Sequence, residues 1–365
     1  MKQPNRRSFL AAAAGTALMT HSSFAAMSGN NRIKVGQIGT RHAHAAGKME
    51  TVRKYSDVFD VVGVVEPDAA QRQKVATAAA YDGLKWMTQE QLLNVPGLQL
   101  VLVETDIDNL LVTAEACIAA GKHIHLDKPA GTSLPHFRRI CEAADRQQLA
   151  IQMGYMFRGN AAFRFMLNAA KEGWLGDIFS VHCEMSKKVG DAERRLLAQY
   201  PGGAMFELGC HLIDSVVRLL GPPESVSAFN SNSRPEHDLL MDNCLAVLQY
   251  SRAVATVRSS VCEVQGQRRR QFVVCGTKGT IAIQPLEPAS LQLTLEQATG
   301  GFVRGIQQVE LPQSAGRYDG DLLHLAKVIS KQEDHEYGTA HDLQVQETLL
   351  LASQMLEPVS GLPKD

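Results

Sequence analysis

Ile33-Lys34-Val35-Gly36-Gln37-Ile38-Gly39-Thr40-Arg41-His42-Ala43-His44 is the stretch on which the fold turns. Its first six residues form a short apolar run of the kind that makes a buried strand. Gly39 stands where the chain would turn from that strand into a helix, and a glycine there lets backbone amides at a helix N-terminus approach a pyrophosphate. Aligned on Gly39, the second and third positions of G-x-G-x-x-G are Arg41 and His44, so the fingerprint alone is weak. Arg41 could bind a phosphate through its side chain instead, a charge-assisted pair replacing amide contacts.

Outward from this stretch, Val58 to Val65, Leu98 to Val103, His123 to Leu126 and Leu149 to Met153 repeat the apolar strand pattern, with helical stretches such as Asp68 to Ala80 between them. That alternation describes an α/β fold: a doubly wound parallel sheet of the Rossmann type over residues 31–153. Its second strand ends in Glu66, about 20 residues past the fingerprint, where a carboxylate accepts bonds from ribose hydroxyls and repels a 2′-phosphate. NAD is therefore the expected cofactor, with NADP disfavoured. After Gly154 the strands lengthen and alternate, as in Ile178 to Met185, Asn243 to Tyr250, Ala253 to Val261 and Phe272 to Cys275. Residues 154–365 are read as a second α/β domain with a large, mostly antiparallel sheet, one face open to a partner copy in a homo-oligomer, dimer or tetramer. The helical segments Gly320 to Lys331 and His341 to Leu356 are expected to pack back on the first domain.

Composition narrows the function classes. A net charge of -1 with no long basic tract gives nucleic acid no electrostatic footprint. Seven scattered cysteines form neither a zinc pattern nor a disulfide scaffold. Arg6-Arg7-Ser8-Phe9-Leu10 precedes the Ala-rich run to Met19, which resembles a twin-arginine leader over residues 1–30 and implies export to the periplasm. No later stretch is apolar enough for a membrane span, so no membrane insertion is expected.

Two segments carry chemistry. His125-Leu126-Asp127-Lys128-Pro129 ends a strand at the carboxyl edge of the sheet, where open α/β folds bind ligands, and Lys128 can point its ammonium into the cleft. Gly202-Gly203-Ala204-Met205-Phe206-Glu207-Leu208-Gly209-Cys210-His211-Leu212-Ile213-Asp214 reads as a glycine turn opening a helix. Regular helical spacing would place Glu207, His211 and Asp214 on one face. Removing hydride from a secondary alcohol needs a base for the hydroxyl proton. His211 is the candidate, Glu207 would orient or charge-tune it, and Lys128 would stabilise the developing alkoxide or carbonyl oxygen. Metal ligation by Glu207 and His211 is set aside because no further His or Cys is spaced to complete a shell, and no metal is expected.

These segments together resemble the glucose-fructose oxidoreductase, inositol dehydrogenase and MocA family over nearly all of Arg32 to Leu356. Asp127-Lys128-Pro129 is similar to its E/D-K-P, and Gly202-Gly203 through Asp214 to its G-G-x-x-x-D-x-G-x-H-x-x-D, with Glu207 in place of the aspartate. Gly154-Tyr155-Met156-Phe157-Arg158-Gly159-Asn160 resembles the family's G-Y-x-x-R-x-N. The resemblance implies an NAD-dependent oxidoreductase acting on a secondary hydroxyl of a sugar, cyclitol or glycoside. Lys128, His211 and Glu207 would be catalytic. Gly39, Thr40, Arg41, His42, Glu66, Thr105, Asp127 and Lys128 would hold the cofactor, and Tyr155, Arg158 and Asp214 the substrate. Besides the missing glycines, the chain departs from the family's T-P-x-x-x-H, reading Thr105-Asp106-Ile107-Asp108-Asn109-Leu110. Export implies a cofactor inserted before transport and recycled in place, which admits a redox-assisted glycoside hydrolase. A non-catalytic sugar-binding protein on the same fold is the alternative from another class.

Overall fold

A computed structural model describes residues 32–312 and 316–357. The leader expectation lies outside the described residues.

Six parallel strands form the first sheet: β1 (Ile33–Ile38), β2 (Phe59–Val65), β3 (Trp86–Met87), β4 (Leu98–Val103), β5 (His123–Leu126) and β6 (Ile151–Met153). Their order is β3-β2-β1-β4-β5-β6, the doubly wound arrangement whose ligand crevice lies outside the carboxyl ends where the order reverses, between β1 and β4. Helices cover both faces, so the central strands are apolar throughout: Leu100, Val101, Leu102 and Val103 of β4 are all fully buried. Two-residue β3 escapes the apolar pattern because it is an edge strand too short to show a period. The helix after β2 runs only over Ala69–Val75, capped by Asp68, whose side chain accepts from the amides of Ala70 and Gln71.

Gly39 ends β1 at φ +90°, and a Cβ there would stand 2.5 Å from the Thr105 amide nitrogen. Only glycine allows β1 to turn this closely past the end of β4.

The second sheet comprises β7 (Ile178–Ser186), β8 (Ser225–Ser231), β9 (Asn243–Gln249), β10 (Val254–Ser260), β11 (Gln271–Gly276), β12 (Gly279–Leu286), β13 (Ala289–Leu295) and β14 (Gly305–Val309). Their order is β14-β13-β12-β11-β7-β10-β9-β8, with β7 and β10 parallel and every other pair antiparallel. One face is sealed by the helices Ala161–Lys171 and Cys210–Leu220, which bury Phe163, Met166, Leu212, Ile213 and Val216. The other stays half open: Phe229 is 61% exposed, and Leu245, Val247 and Thr256 are partly open. The period-two alternation follows from this one-sided burial.

The last two helices divide their loyalties. Asp319–Ile329 buries Leu322, Leu325 and Ala326 in the apolar core that holds Ile33, Val35 and Leu100 of the first sheet. Thr339–Ala352 buries Val345 and Leu349 in the larger cluster shared by both domains, and its Gln346 clamps the loop after Lys128 through Ala130 N–H at 3.3 Å and the Gly131 carbonyl at 2.7 Å. That clamp fixes the loop leaving the first sheet against the second domain.

Candidate active site

The carboxyl end of β5 delivers Asp127 and Lys128 into the space between the two sheets. Lys128 is 2% exposed, and its ammonium donates to the Glu207 carbonyl at 2.8 Å and to Glu207 Oε1 at 3.2 Å. Burial works against this ammonium, but Glu207, Cys210 and Asp127 outweigh it, and the Lys128 pKa is raised. Burial likewise opposes the Glu207 carboxylate, yet Lys128 and then Lys187, whose Nζ is 3.9 Å from Oε2, hold it down at about 2. The pair is thus ionised across physiological pH, with Glu207 Oε2 accepting no hydrogen bond.

Glu207 does not lie on a regular helix. Met205–Gly209 is a π-helical turn that passes into the α-helix Cys210–Leu220. The wider turn rotates Glu207 away from the line expected of an α-helical i, i+4 pair, so its carboxylate faces Lys128 and Lys187 rather than orienting His211. The expected shared face of Glu207, His211 and Asp214 is corrected accordingly.

His211 is 2% exposed and stands edge-on to Tyr155 and Phe157, with ring centroids 6.0 and 5.9 Å away. Its Nδ1 is buried without a hydrogen-bond partner. Burial first, then the charge of Lys128, pushes its pKa well below the ordinary imidazole range, so the ring is neutral.

Asp214 and Arg158 take a different role from the substrate contacts expected of them. Arg158 Nη2 lies 2.6 Å from Asp214 and 2.5 Å from Asp342, all three within 4% of full burial, and the guanidinium stacks on Tyr337 at 4.1 Å and on Tyr155 at 4.9 Å. Their charges are spent on one another, joining the site segment after β6 to the helices Cys210–Leu220 and Thr339–Ala352. Tyr155 reaches the site only as the ring wall beside His211.

Burial lifts Asp342 from 3.8 to about 6 against the pull of Arg158. Its folded form therefore binds more protons than the unfolded chain between those values, and the contribution of this group to stability falls as pH rises through that window. Urea midpoints of the wild type and Asp342→Asn, compared from pH 3.8 to about 6, are expected to show the wild type losing ground steadily to the variant. A pH-independent difference would refute the assignment.

At the nucleotide end, Glu66 is 7% exposed and accepts from Thr40 N–H at 2.9 Å, Thr40 Oγ1 at 2.6 Å and Asp68 N–H at 3.1 Å. It shapes the turn after Gly39 as well as facing a groove of about 400 Å³ lined by Glu66, Pro67, Arg72, Gln73 and Trp86 at the end of β2. This groove fits an adenosine: Trp86 supplies an aromatic wall with the Arg72 guanidinium over its ring at 5.3 Å. The phosphate end is less open. Arg41 pairs with Asp68 instead of standing free for a phosphate, and the amides of Gly39, Thr40 and His42 are bonded to Val65, Glu66 and Glu104. Thr105 closes the turn beside Gly39, and the altered Asp106 is the N-cap of the helix Ile107–Ala119, accepting from the Asn109 amide at 3.2 Å. A dinucleotide would thus rest its adenosine in the groove and meet a phosphate turn whose amides at Gly39, Thr40 and His42 are already engaged.

Sequence reasoning missed the buried polar cluster under this loop. Lys48 is fully buried between Glu104 at 2.7 Å and Asp127 at 2.9 Å, and His42 and His44 approach Asp127 at 2.5 and 3.2 Å. His125 donates into Asp321 on the helix Asp319–Ile329 at 2.5 Å, with Gln152 on its other oxygen at 2.5 Å. The available signal was a lysine one turn after His44 on the apolar face that carries Met49 and Val52. A charged group at such a position is buried only if partners wait for it.

Comparisons with known proteins agree with this architecture. Residues 33–155 match the oxidoreductase family with the NAD-binding Rossmann fold, and residues 163–282 match the GFO/IDH/MocA C-terminal domain. The chain is 26% identical over 182 residues to scyllo-inositol 2-dehydrogenase (NADP(+)) IolW of Bacillus subtilis (strain 168), covering 49% of this chain and 51% of that protein. It is 24% identical over 196 residues to trans-1,2-dihydrobenzene-1,2-diol dehydrogenase of Sus scrofa, covering 53% of this chain and 57% of that protein. The chain spans about half the length of the curated relatives it matches. The fold is shared with the aldose-aldose oxidoreductase from Caulobacter crescentus, at TM-score 0.74 and 18% identity over 88% of this chain and 98% of that one. With a parallel dinucleotide-type sheet, a Lys128 strand end facing a second mixed sheet, and both halves matched by one family, the chain belongs to the GFO/IDH/MocA family of oxidoreductases.

Proposed function

We propose that the protein is an NAD-dependent oxidoreductase acting on a secondary hydroxyl of a sugar, cyclitol or glycoside. The observation that carries this reading is Lys128, a buried ammonium held across 2.8 and 3.2 Å by Glu207 of the opposite domain, beside a neutral His211 whose Nδ1 has no partner. Bound NAD supplies the hydride acceptor or donor. Lys128 donates to the oxygen that gains negative charge as its proton leaves. His211 is neutral and takes that proton; being a weakened base, it depends on Lys128 lowering the pKa of the hydroxyl. Glu207 fixes the ammonium in place, and Tyr155 and Phe157 keep the imidazole dry.

Glu66 at the adenosine groove supports NAD over NADP, because a 2′-phosphate would meet its carboxylate. Calorimetry with both dinucleotides tests this, with NAD expected to bind more tightly. Tighter NADP binding would transfer the discrimination to Arg72.

Export through the Arg6-Arg7 leader belongs to the same reading, since a protein working away from the cytoplasmic pool needs a resident, self-recycled cofactor. Replacing both arginines with lysine should leave the precursor in the cytoplasm, as followed by cell fractionation; undiminished export would remove the twin-arginine assignment.

A second reading, a non-catalytic sugar-binding protein, draws on the engaged amides and filled glycine positions at the phosphate turn. Nicotinamide absorbance or fluorescence of the purified protein separates the two.

A further inference from the structure

The geometry points to a binding site for a divalent first-row transition-metal ion, formed by His42, His44 and Asp127 at the carboxyl edge of the parallel sheet. One oxygen or nitrogen from each residue lies within 4.8 Å of the others. Both histidines approach through Nδ1: His44 stands 3.2 Å from Asp127 Oδ1, and His42 stands 2.5 Å from Oδ2.

The hydrogen bonds around His42 say why a cation belongs there. Its Nε2 faces the Lys128 carbonyl at 3.2 Å, an acceptor only, so Nε2 carries the ring hydrogen. Its Nδ1 accepts the His44 amide at 3.4 Å and so presents a lone pair. That lone pair is aimed at Asp127 Oδ2, 2.5 Å away, so the two donors face one another across the position a cation would take. Asp127 Oδ2 is fully buried and receives no well-directed hydrogen bond. An imidazole whose far N–H is anchored on a backbone carbonyl is also the usual posture of a metal ligand.

Lys48 opposes the ion, with its ammonium 2.9 Å from Oδ2. Yet it leans closer to Glu104, at 2.7 Å, and it approaches Oδ2, while Oδ1, which accepts the Lys128 N–H at 2.7 Å, keeps a second lone pair on the side of His44. Ligands about 2.1 Å from a tetrahedral ion sit roughly 3.4 Å apart. The His44 spacing of 3.2 Å is nearly that already, while His42, on the turn before the helix and 11% exposed, withdraws to make room. Two imidazoles and one carboxylate select zinc, cobalt or nickel over magnesium and calcium. Three protein ligands leave a fourth position for water or a substrate oxygen, next in the chain to Lys128.

The full chain, freed of metal by chelator dialysis, is titrated with zinc chloride by calorimetry and with cobalt(II) by visible absorbance. The wild type is expected to take up one ion per chain and to show cobalt d–d bands of a low-symmetry nitrogen and oxygen site. His42→Ala and His44→Ala should each weaken uptake beyond the roughly 10- to 100-fold that losing a mere supporting group causes. His237→Ala, on the exposed surface, should change nothing. Circular dichroism confirms that the variants are folded. If the wild type binds no ion, His42 and Asp127 share a proton instead and the proposal fails on the wild type alone; uptake that survives in the His42→Ala/His44→Ala double variant also overturns it. Dinucleotide binding, measured on the metal-free protein, reports separately on the proposed function.

Discussion

Lys128→Ala and His211→Ala are each expected to lower turnover by roughly 10² to 10⁴, the usual contribution of a positioned acid or base. Lys128 is the buried ammonium that reaches the second domain at Glu207, whereas Lys187, the other ammonium at that carboxylate, is 20% exposed and stands 3.9 Å from its far oxygen. In the proposed reaction His211 would accept the hydroxyl proton at its unpartnered Nδ1, and removing the ring would leave that proton without an acceptor. The substrate is found by screening sugars, cyclitols and glycosides, read as nicotinamide absorbance and as product mass, because a recycled cofactor gives no net absorbance change. Wild-type rates in both variants would dismiss the site. Sugar binding without turnover in the wild type would favour the non-catalytic reading.

Arg158→Ala is expected to produce the largest loss of stability, about 3–5 kcal/mol, the magnitude seen when one partner of a buried ion pair is removed. It leaves Asp214 and Asp342 facing each other in a dry interior and deletes the plate against which Tyr155 and Tyr337 stack. Chemical denaturation of the wild type and the variant measures it; a loss under about 1 kcal/mol would mean that water or a rearranged His341 takes over the compensation. Arg158→Ala should also disturb catalysis, but only through Tyr155, whose ring borders His211.

Much of this protein is written in local patterns. Apolar runs placed β1, β2, β4, β5 and β6 within a residue or two, because a strand buried on both faces must be apolar throughout. Alternation located β7, β9, β10 and β11 because one face of that sheet is covered and the other is half open. Strands β8, β12, β13 and β14 went unread although they pair with neighbours in the chain: β8 and β14 have almost no fully buried position to set an apolar period, and Pro285 stands within β12. The position of Lys128 at the cleft was legible because the carboxyl end of a parallel strand is the ligand-binding edge of an open α/β sheet.

The pairing of charges was not legible. Regular helical spacing across Met205–Gly209 puts Glu207, His211 and Asp214 on one face, and the family resemblance gives Arg158 to the substrate. The tertiary structure decides otherwise. A π-helical turn directs Glu207 to Lys128, burial ties Arg158 to both Asp214 and Asp342, and Lys48, His42 and His44 converge on Asp127. The sequence by itself determined the two-domain α/β architecture and the residues available for chemistry, because periodic burial is a local property of the chain. Which charge neutralises which was decided only by packing, because an ion pair depends on distances of 2.5 to 4 Å between residues that the sequence separates by tens of positions.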